Sequence, residues 1–215
     1  MNCLISAGPT REWIDPVRFI SNPSSGKMGY ALAQVAYNLG MHVTLVSGPV
    51  CIDPPSGIKP IYIETALEMK NSMLMHFKTA NLVIMSAAVS DHRPKSCNKQ
   101  KIPKDKLLES LPLTRNPDIL KILGSEKAKD QTLVGFAAET NDLINSAQRK
   151  LTEKNLDWIV VNDVSIKKIG FSSDQNEVFL LGHNQQKVRF SLAPKTIIAK
   201  KILNAVCSSW LEKAH

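Results

Sequence analysis

Short, β-branched apolar runs alternate with stretches of helical period through most of this chain, and that alternation restricts the fold more than any other feature. Residues 3–7 are apolar up to a Gly8-Pro9 turn and read as a core strand. Over 28–39, Met28, Leu32, Val35 and Leu39 recur at helical spacing, and Gly40 follows where a C-terminal cap belongs. Residues 42–46 and 61–63 read as the second and third strands, the first of them closed by Ser47-Gly48-Pro49. Thr65 then caps a helix reaching about Phe77, with Glu68 three residues on, as in a capping box. Residues 82–86, 133–137 and 158–161 are apolar throughout, as strands covered on both faces are. A helical stretch at about 142–154 separates the last two. Repeated strand–helix–strand units connect through right-handed crossovers, so they imply a parallel sheet with helices on both faces. The expected fold is α/β: a three-layer, Rossmann-like, mainly parallel sheet with its ligand crevice outside the carboxyl ends of the strands.

The last quarter changes character. Residues 177–181 and 187–191 alternate in polarity and are joined across Gly182-His183-Asn184, which predicts an antiparallel hairpin. A final helix is expected from Pro194, in its first turn, to about Trp210. With no internal repeat and no linker, residues 1–215 read as a single domain.

Composition narrows the classes of function. A 43% hydrophobic content fills a sizeable core, while the longest apolar stretches fall far short of the roughly 20 residues that span a bilayer. No charged-then-apolar leader opens the chain, so a cytoplasmic protein that does not engage membranes is expected. Cys3, Cys51, Cys97 and Cys207 are scattered, without the pairing of a zinc site or a disulfide framework. The net charge of +8 attracts polyanions in general, but no nucleic-acid-binding signature accompanies it and only 6% of residues are aromatic. No nucleic-acid partner is expected.

Three loops carry more than a scaffold needs. The first runs from Ser6 to Glu12 and on through Arg18 to Gly29, after the first strand and into the first helix. Its small and hydroxyl residues leave backbone N–H groups free at a helix N-terminus, a natural cradle for phosphate or carboxylate. The spacing from Gly8 to Gly26 is too long for a dinucleotide fingerprint, and Gly26-Lys27-Met28 is not a Walker A end. The second loop is Ser86-Ala87-Ala88-Val89-Ser90-Asp91-His92-Arg93-Pro94, at a strand end. There the alanines admit a planar group, and Asp91 is either a turn residue or a partner for a metal-bound phosphate or a hydroxyl. The third, over 99–106, is cationic: a solvated face, or a mobile lysine loop that closes over a triphosphate.

With these loops in view, the sequence resembles the bacterial phosphopantothenoylcysteine synthetase (phosphopantothenate–cysteine ligase) family from Ile5 to at least Leu203. The first loop carries the most specific motif. In order follow Ala87-Ala88-Val89-Ser90-Asp91, Lys101-x-x-Lys104, Arg115-Asn116-Pro117-Asp118-Ile119-Leu120, Gly135-Phe136-Ala137-Ala138-Glu139-Thr140, Lys150-x-x-x-Lys154 and Asn162-Asp163-Val164. The resemblance implies that 4′-phosphopantothenate attacks CTP to give an acyl-cytidylate and pyrophosphate, and that L-cysteine then displaces CMP. It assigns Asn22 and Lys101 as catalytic. It places Met85, Ser86, Ala87, Asp91, Lys101, Pro117, Asp118, Ile119, Leu120, Phe136, Lys150 and Lys154 on the nucleotide, and Arg18, Asn22, Ser24, Ser25, Gly26 and Ala88 on the acid. Lys150 and Lys154, four apart on one helix face, are expected to reach the same ligand. A Mg2+-type cation, a homodimer built through the hairpin and a separate decarboxylase acting next complete the expectation.

Two positions depart from the family pattern: Pro103 replaces a flap cation and stiffens the loop, and His92 stands where an aromatic is frequent. Nothing precedes Met1, so no decarboxylation is expected of this chain. ATP is the alternative nucleotide. An NAD(P)-dependent oxidoreductase would share the fold class, but it needs a glycine fingerprint after the first strand and an acid after the second, where Ser47-Gly48 stands.

Overall fold

The computed structural model describes residues 1–106, 110–139, 141–163, 173–183 and 186–213, without the side chains of 106, 163 and 209–213. It holds one eight-stranded mixed sheet with helices on both faces. The strands are β1 (Asn2–Ala7), β4 (His42–Ser47), β5 (Ile61–Tyr62), β6 (Leu82–Met85), β9 (Thr132–Glu139), β10 (Trp158–Asp163), β11 (Gln175–Gly182) and β12 (Lys187–Pro194). Their spatial order is β12-β11-β10-β9-β6-β1-β4-β5. All neighbours from β5 to β10 pair in parallel, and β10-β11 and β11-β12 pair antiparallel. The chain winds one way from β1 to β5 and then resumes at β6, on the other side of β1. The order therefore reverses between β1 and β6, which opens a crevice at their carboxyl ends.

The period-two pleat sorts each strand between two cores. Cys3, Ile5 and Ala7 face α1 (Lys27–Asn38) and α5 (Lys195–Lys213), packing with Leu32, Ala36, Ile198 and Ile202. Leu4 faces the opposite way, toward α2 (Ala66–Phe77), α3 (Ile119–Glu126) and α4 (Leu143–Glu153), with Met73, Leu123 and Leu151. Each fully buried leucine or isoleucine of these layers contributes about 1.5–3 kcal/mol over an exposed one.

The caps follow the residues. Gly40 (φ 80°) ends α1, where the Met41 N–H returns to the Ala36 carbonyl and the Gly40 N–H to that of Tyr37, closing a Schellman motif. Thr65 accepts the Glu68 N–H at the start of α2, but the Glu68 carboxylate reaches back to the Glu64 N–H rather than to Thr65. The buried Glu12 carboxylate adds a second cap, accepting from the Ala66 N–H at 3.0 Å.

Several boundaries differ from the sequence reading. Pro194 is the last residue of β12, paired with Gln175, and α5 begins at Lys195. A proline is tolerated there because β12 is an edge strand with no ladder bond to lose on its outer side. The hairpin is present and longer than expected; Asn184 of its expected turn lies outside the described residues. Two short antiparallel pairs and one helix are additions. Inside the first loop β2 (Arg11–Trp13) pairs with β3 (Phe19–Ser21), and β7 (His92–Pro94) pairs with β8 (Leu113–Arg115). Helix α3 is two turns long, too short for its period to stand out in sequence.

Candidate active site

The loops leaving β1 and β6 stay joined beyond the sheet edge. Ala88 N–H donates to the Gly8 carbonyl at 2.9 Å, Ala87 N–H to Ser6 Oγ at 3.2 Å, and Ser90 N–H to Thr10 Oγ1 at 3.0 Å. Past this seam lies a crevice of about 380 Å³ at the carboxyl ends of β6, β9 and β10. Asn22, Ser24, Ser25, Gly26, Ser86, Ala87, Ala88, Asp91, Phe136 and Lys150, all expected as site residues, line it.

Helix α1 opens toward this space. Its N-cap, Gly26, has φ 76°, a conformation strained for other residues, and no side chain caps the first-turn N–H groups. The helix also comes unusually near the sheet. A Cβ on Gly29 would stand 2.5 Å from Ala7 Cβ and 2.7 Å from Ser86 Oγ, so only glycine permits that approach. Asn22 spans the two loops, its amide nitrogen donating at 3.2 Å to both the Ala88 and the Val89 carbonyls.

Other expected site residues sit elsewhere. The side chain of Met85 is buried in the core. Arg18 does not line the crevice: its guanidinium pairs with the fully buried Asp15 carboxylate and donates to the Ile102 carbonyl at 2.9 Å. Asp15 in turn accepts the N–H groups of Val17, Arg18 and Ile102. The Arg18 hydrogen bonds hold its carboxyl well below the usual carboxylate range. Both backbone groups of Ile102 are thus fixed, beside the exposed Lys101, on the flap that rises between β7 and β8. His92 is exposed at the base of that flap.

Lys150 and Lys154 go to different partners. Lys150 Nζ meets Glu139 Oε1 at 2.5 Å, and Lys154 Nζ meets Asp118 Oδ2 at 2.8 Å. Burial pushes the Glu139 carboxyl up, but hydrogen bonds from Lys150 and Ser146 outweigh it and hold it below the usual range. Asp118 is the N-cap of α3, accepting from the Lys121 N–H at 3.0 Å, and Ile119 is buried beneath it. The stretch from Pro117 to Leu120 therefore lies beside the crevice without lining it, on the α2–α4 side, whereas Phe136 packs toward the α1–α5 side.

The crevice also has members to which the sequence reading assigned no role: Lys27, Asn162, Asn176 and Lys195. Lys195 is 6% exposed and Asn176 is 5% exposed. One signal was available for Lys195, because a lysine in the first turn of a helix opposes the positive end of the dipole and so has to be explained by something else. Among the described residues no three His, Cys, Asp or Glu side chains converge as a metal site. Asp91 is the carboxylate on the crevice wall. All four cysteines are free, and no helix among the described residues is long and apolar enough to cross a membrane.

Comparison with known proteins agrees with this architecture. The family described as the DNA/pantothenate metabolism flavoprotein C-terminal domain matches residues 1–209. The Coenzyme A biosynthesis bifunctional protein CoaBC of Bacillus subtilis is 45% identical over 206 residues, taking in 95% of this chain and 50% of that protein. The chain thus spans about half the length of the curated relatives it matches. Among solved structures, the C-terminal domain of a Coenzyme A biosynthesis bifunctional protein CoaBC superposes with a TM-score of 0.81 at 41% identity, over 95% of this chain and 93% of that one. The DNA/Pantothenate Metabolism Flavoprotein from Streptococcus pneumoniae gives 0.80 at 25% identity, over 97% and 99%.

Proposed function

The chain belongs to the DNA/pantothenate metabolism flavoprotein C-terminal domain family, and from that premise we propose that it is the ligase that joins 4′-phosphopantothenate to L-cysteine, with CTP as the activating co-substrate. One observation carries the reading. A single crevice presents Asn22, tied to the carbonyls of Ala88 and Val89, together with Lys27 and Lys195 from the α1–α5 layer and Lys150 from the opposite layer. Two anionic reactants brought into one site need cations from two directions, and this wall has them.

In the first step a carboxylate oxygen of the acid attacks the α-phosphorus of CTP. The bond to the β-phosphate breaks, and pyrophosphate leaves an acyl-cytidylate. In the second, the cysteine amine attacks the acyl carbon, the bond to CMP breaks, and the nitrogen gives up a proton. A carboxylate is a poor acyl donor, so the residues here serve to position, to neutralise charge and to exclude water. Lys101 on the flap neutralises the phosphate charge that develops in the first step, and the Asn22 amide steadies the acyl oxygen. Ser24, Ser25, Gly26 and Ala88 hold the acid, with Arg18 acting from beside the flap. The backbone at Met85, Ser86 and Ala87, with Asp91, Lys150 and Lys154, serves the nucleotide, and Pro117–Leu120 with Phe136 the base. A Mg2+-type cation would travel on the triphosphate and neutralise it, with Asp91 within the wall to meet it.

The span acts as one domain, which the sheet drawn from Asn2 through Pro194 supports. A homodimer in the cytoplasm and a separate decarboxylase, which takes the cysteine carboxylate from the product, belong to the same reading. The names of the relatives place them in coenzyme A biosynthesis, which favours this reading over a nicotinamide-dependent oxidoreductase. The test is pyrophosphate release from 4′-phosphopantothenate with CTP and with ATP in turn, followed by addition of cysteine. CTP-dependent pyrophosphate, with CMP appearing on addition of cysteine, is expected. Absence of CMP with all three reactants and Mg2+ would overturn the proposal.

A further inference from the structure

Lys150 comes to the crevice with its ammonium already held. Its Nζ donates to Glu139 Oε1 at 2.5 Å, and Ser146 Oγ donates to the same oxygen at 3.0 Å. Two periods bring these groups together. Along β9, Phe136 and Ala138 line the crevice, so the pleat turns Glu139 with Ala137 toward the face that α4 covers. Along α4, Ser146 and Lys150 stand four residues apart and share one side of the helix. A carboxylate at the end of a central strand thus meets two donors from one helix face.

Stability does not call for this cluster. Helix α4 is seated on the sheet by Ala147 and Leu151, both buried. The Lys150 side chain keeps 35% of its surface exposed, so the ion pair is screened by water and adds little to holding the helix. What the pair supplies is direction. A lysine on a flexible stem spreads its ammonium over many rotamers, and ordering it when a ligand binds costs entropy. Glu139 takes one of the three ammonium donors and leaves two for the crevice. Burial raises the Glu139 carboxyl, but the hydrogen bonds from Lys150 and Ser146 outweigh it, so the acceptor stays ionised at neutral pH. Glu139 itself stands off the crevice wall behind Lys150, so an arriving phosphate meets the cation before the carboxylate.

We infer that Glu139, supported by Ser146, is a positioning residue that aims the Lys150 ammonium into the crevice before a phosphate of the nucleotide arrives. The inference rests on the ligase reading above and adds to it a residue that acts only through another.

The experiment measures CTP affinity by calorimetric titration without the acid, and then KM for each reactant in pyrophosphate release. The proteins compared are the parent, Glu139→Gln, Lys150→Met and the double variant. Glu139→Gln keeps the size of the side chain and an acceptor but removes its charge. It should weaken CTP binding about 3- to 30-fold and raise KM for CTP in step, with KM for 4′-phosphopantothenate nearly unchanged. In the Lys150→Met background it should add no further loss, because its effect passes through the ammonium. Glu139→Asp, which keeps the charge on a shorter stem, should recover part of the loss. Unchanged CTP affinity in Glu139→Gln or in Lys150→Met, or losses that add in the double variant, overturn the inference. Tighter binding in Glu139→Gln also overturns it, since the carboxylate would then be competing with the phosphate. So does an equal rise in both KM values with a lowered Tm, the mark of a structural role. Should Glu139→Gln fold poorly, Ser146→Ala removes the second donor to the same oxygen. It should weaken CTP binding by a smaller factor, again only while Lys150 is present, and no change there overturns the inference. If CTP binds the parent with this coupling but the acid brings no pyrophosphate release, the ligase reading has failed while the positioning role stands.

Discussion

Asn22 already uses its amide nitrogen on two carbonyls, so it can donate to an acyl oxygen only by exchanging one of them. A group held in this way is positioned before the substrate arrives, which favours a role in the step where the oxygen gains charge. Asn22→Asp removes the donor and adds a negative charge: pyrophosphate release should persist, while CMP release on adding cysteine falls at least about 100-fold. Lys101→Gln should instead reduce pyrophosphate release itself, which is measured before any cysteine is added. Asp15 governs the neighbouring flap through the Ile102 N–H and through Arg18. Asp15→Asn should therefore speed tryptic cleavage after Lys99 and Lys101 without moving the cleavage pattern elsewhere. Because the Asp15 carboxyl is held below its unfolded value, its stabilising effect is full above about pH 4 and fades as acid protonates it. Denaturation of parent and Asp15→Asn should thus differ at neutral pH and converge in acid.

At the scale of elements, close backbone approaches decide where the site sits. Gly124 in α3 lies so near the end of α4 that an added Cβ would stand 1.8 Å from the Lys154 carbonyl oxygen. Asn155, at φ 50°, closes that contact by donating to the Gly124 carbonyl at 2.8 Å. Gly124→Ala should push the two helices apart and cost about 1–3 kcal/mol in urea denaturation, and it should raise KM for the nucleotide more than for the acid. The helices α1 and α2 and the central strands were legible because each follows a local period, and the caps of those two helices because a glycine or a threonine stands next to them, at Gly40 and Thr65. The β2-β3 and β7-β8 pairs were not, because strands this short carry no usable alternation and form only where the sheet edge brings them together.

Across the whole molecule the sheet separates two cores, one under α1 and α5 and one under α2, α3 and α4. Leu32→Ala and Leu123→Ala, one from each, should each cost about 2–5 kcal/mol. Their double variant should come within about 0.5 kcal/mol of the sum, because Leu32 and Leu123 belong to separate clusters on opposite faces of the sheet. Denaturation midpoints at equal slope check this. The sequence alone was enough to establish the α/β class, and ten of the residues it named line the crevice at the carboxyl ends of the strands, because pattern and motif are properties of neighbours along the chain. It could not separate Lys150 from Lys154, turn Arg18 toward the flap, or bring Lys195 and Asn176 into one crevice with Lys27. Those are contacts between residues far apart in the chain, and only the packing of both layers onto one twisted sheet decides which charges meet and which are kept apart.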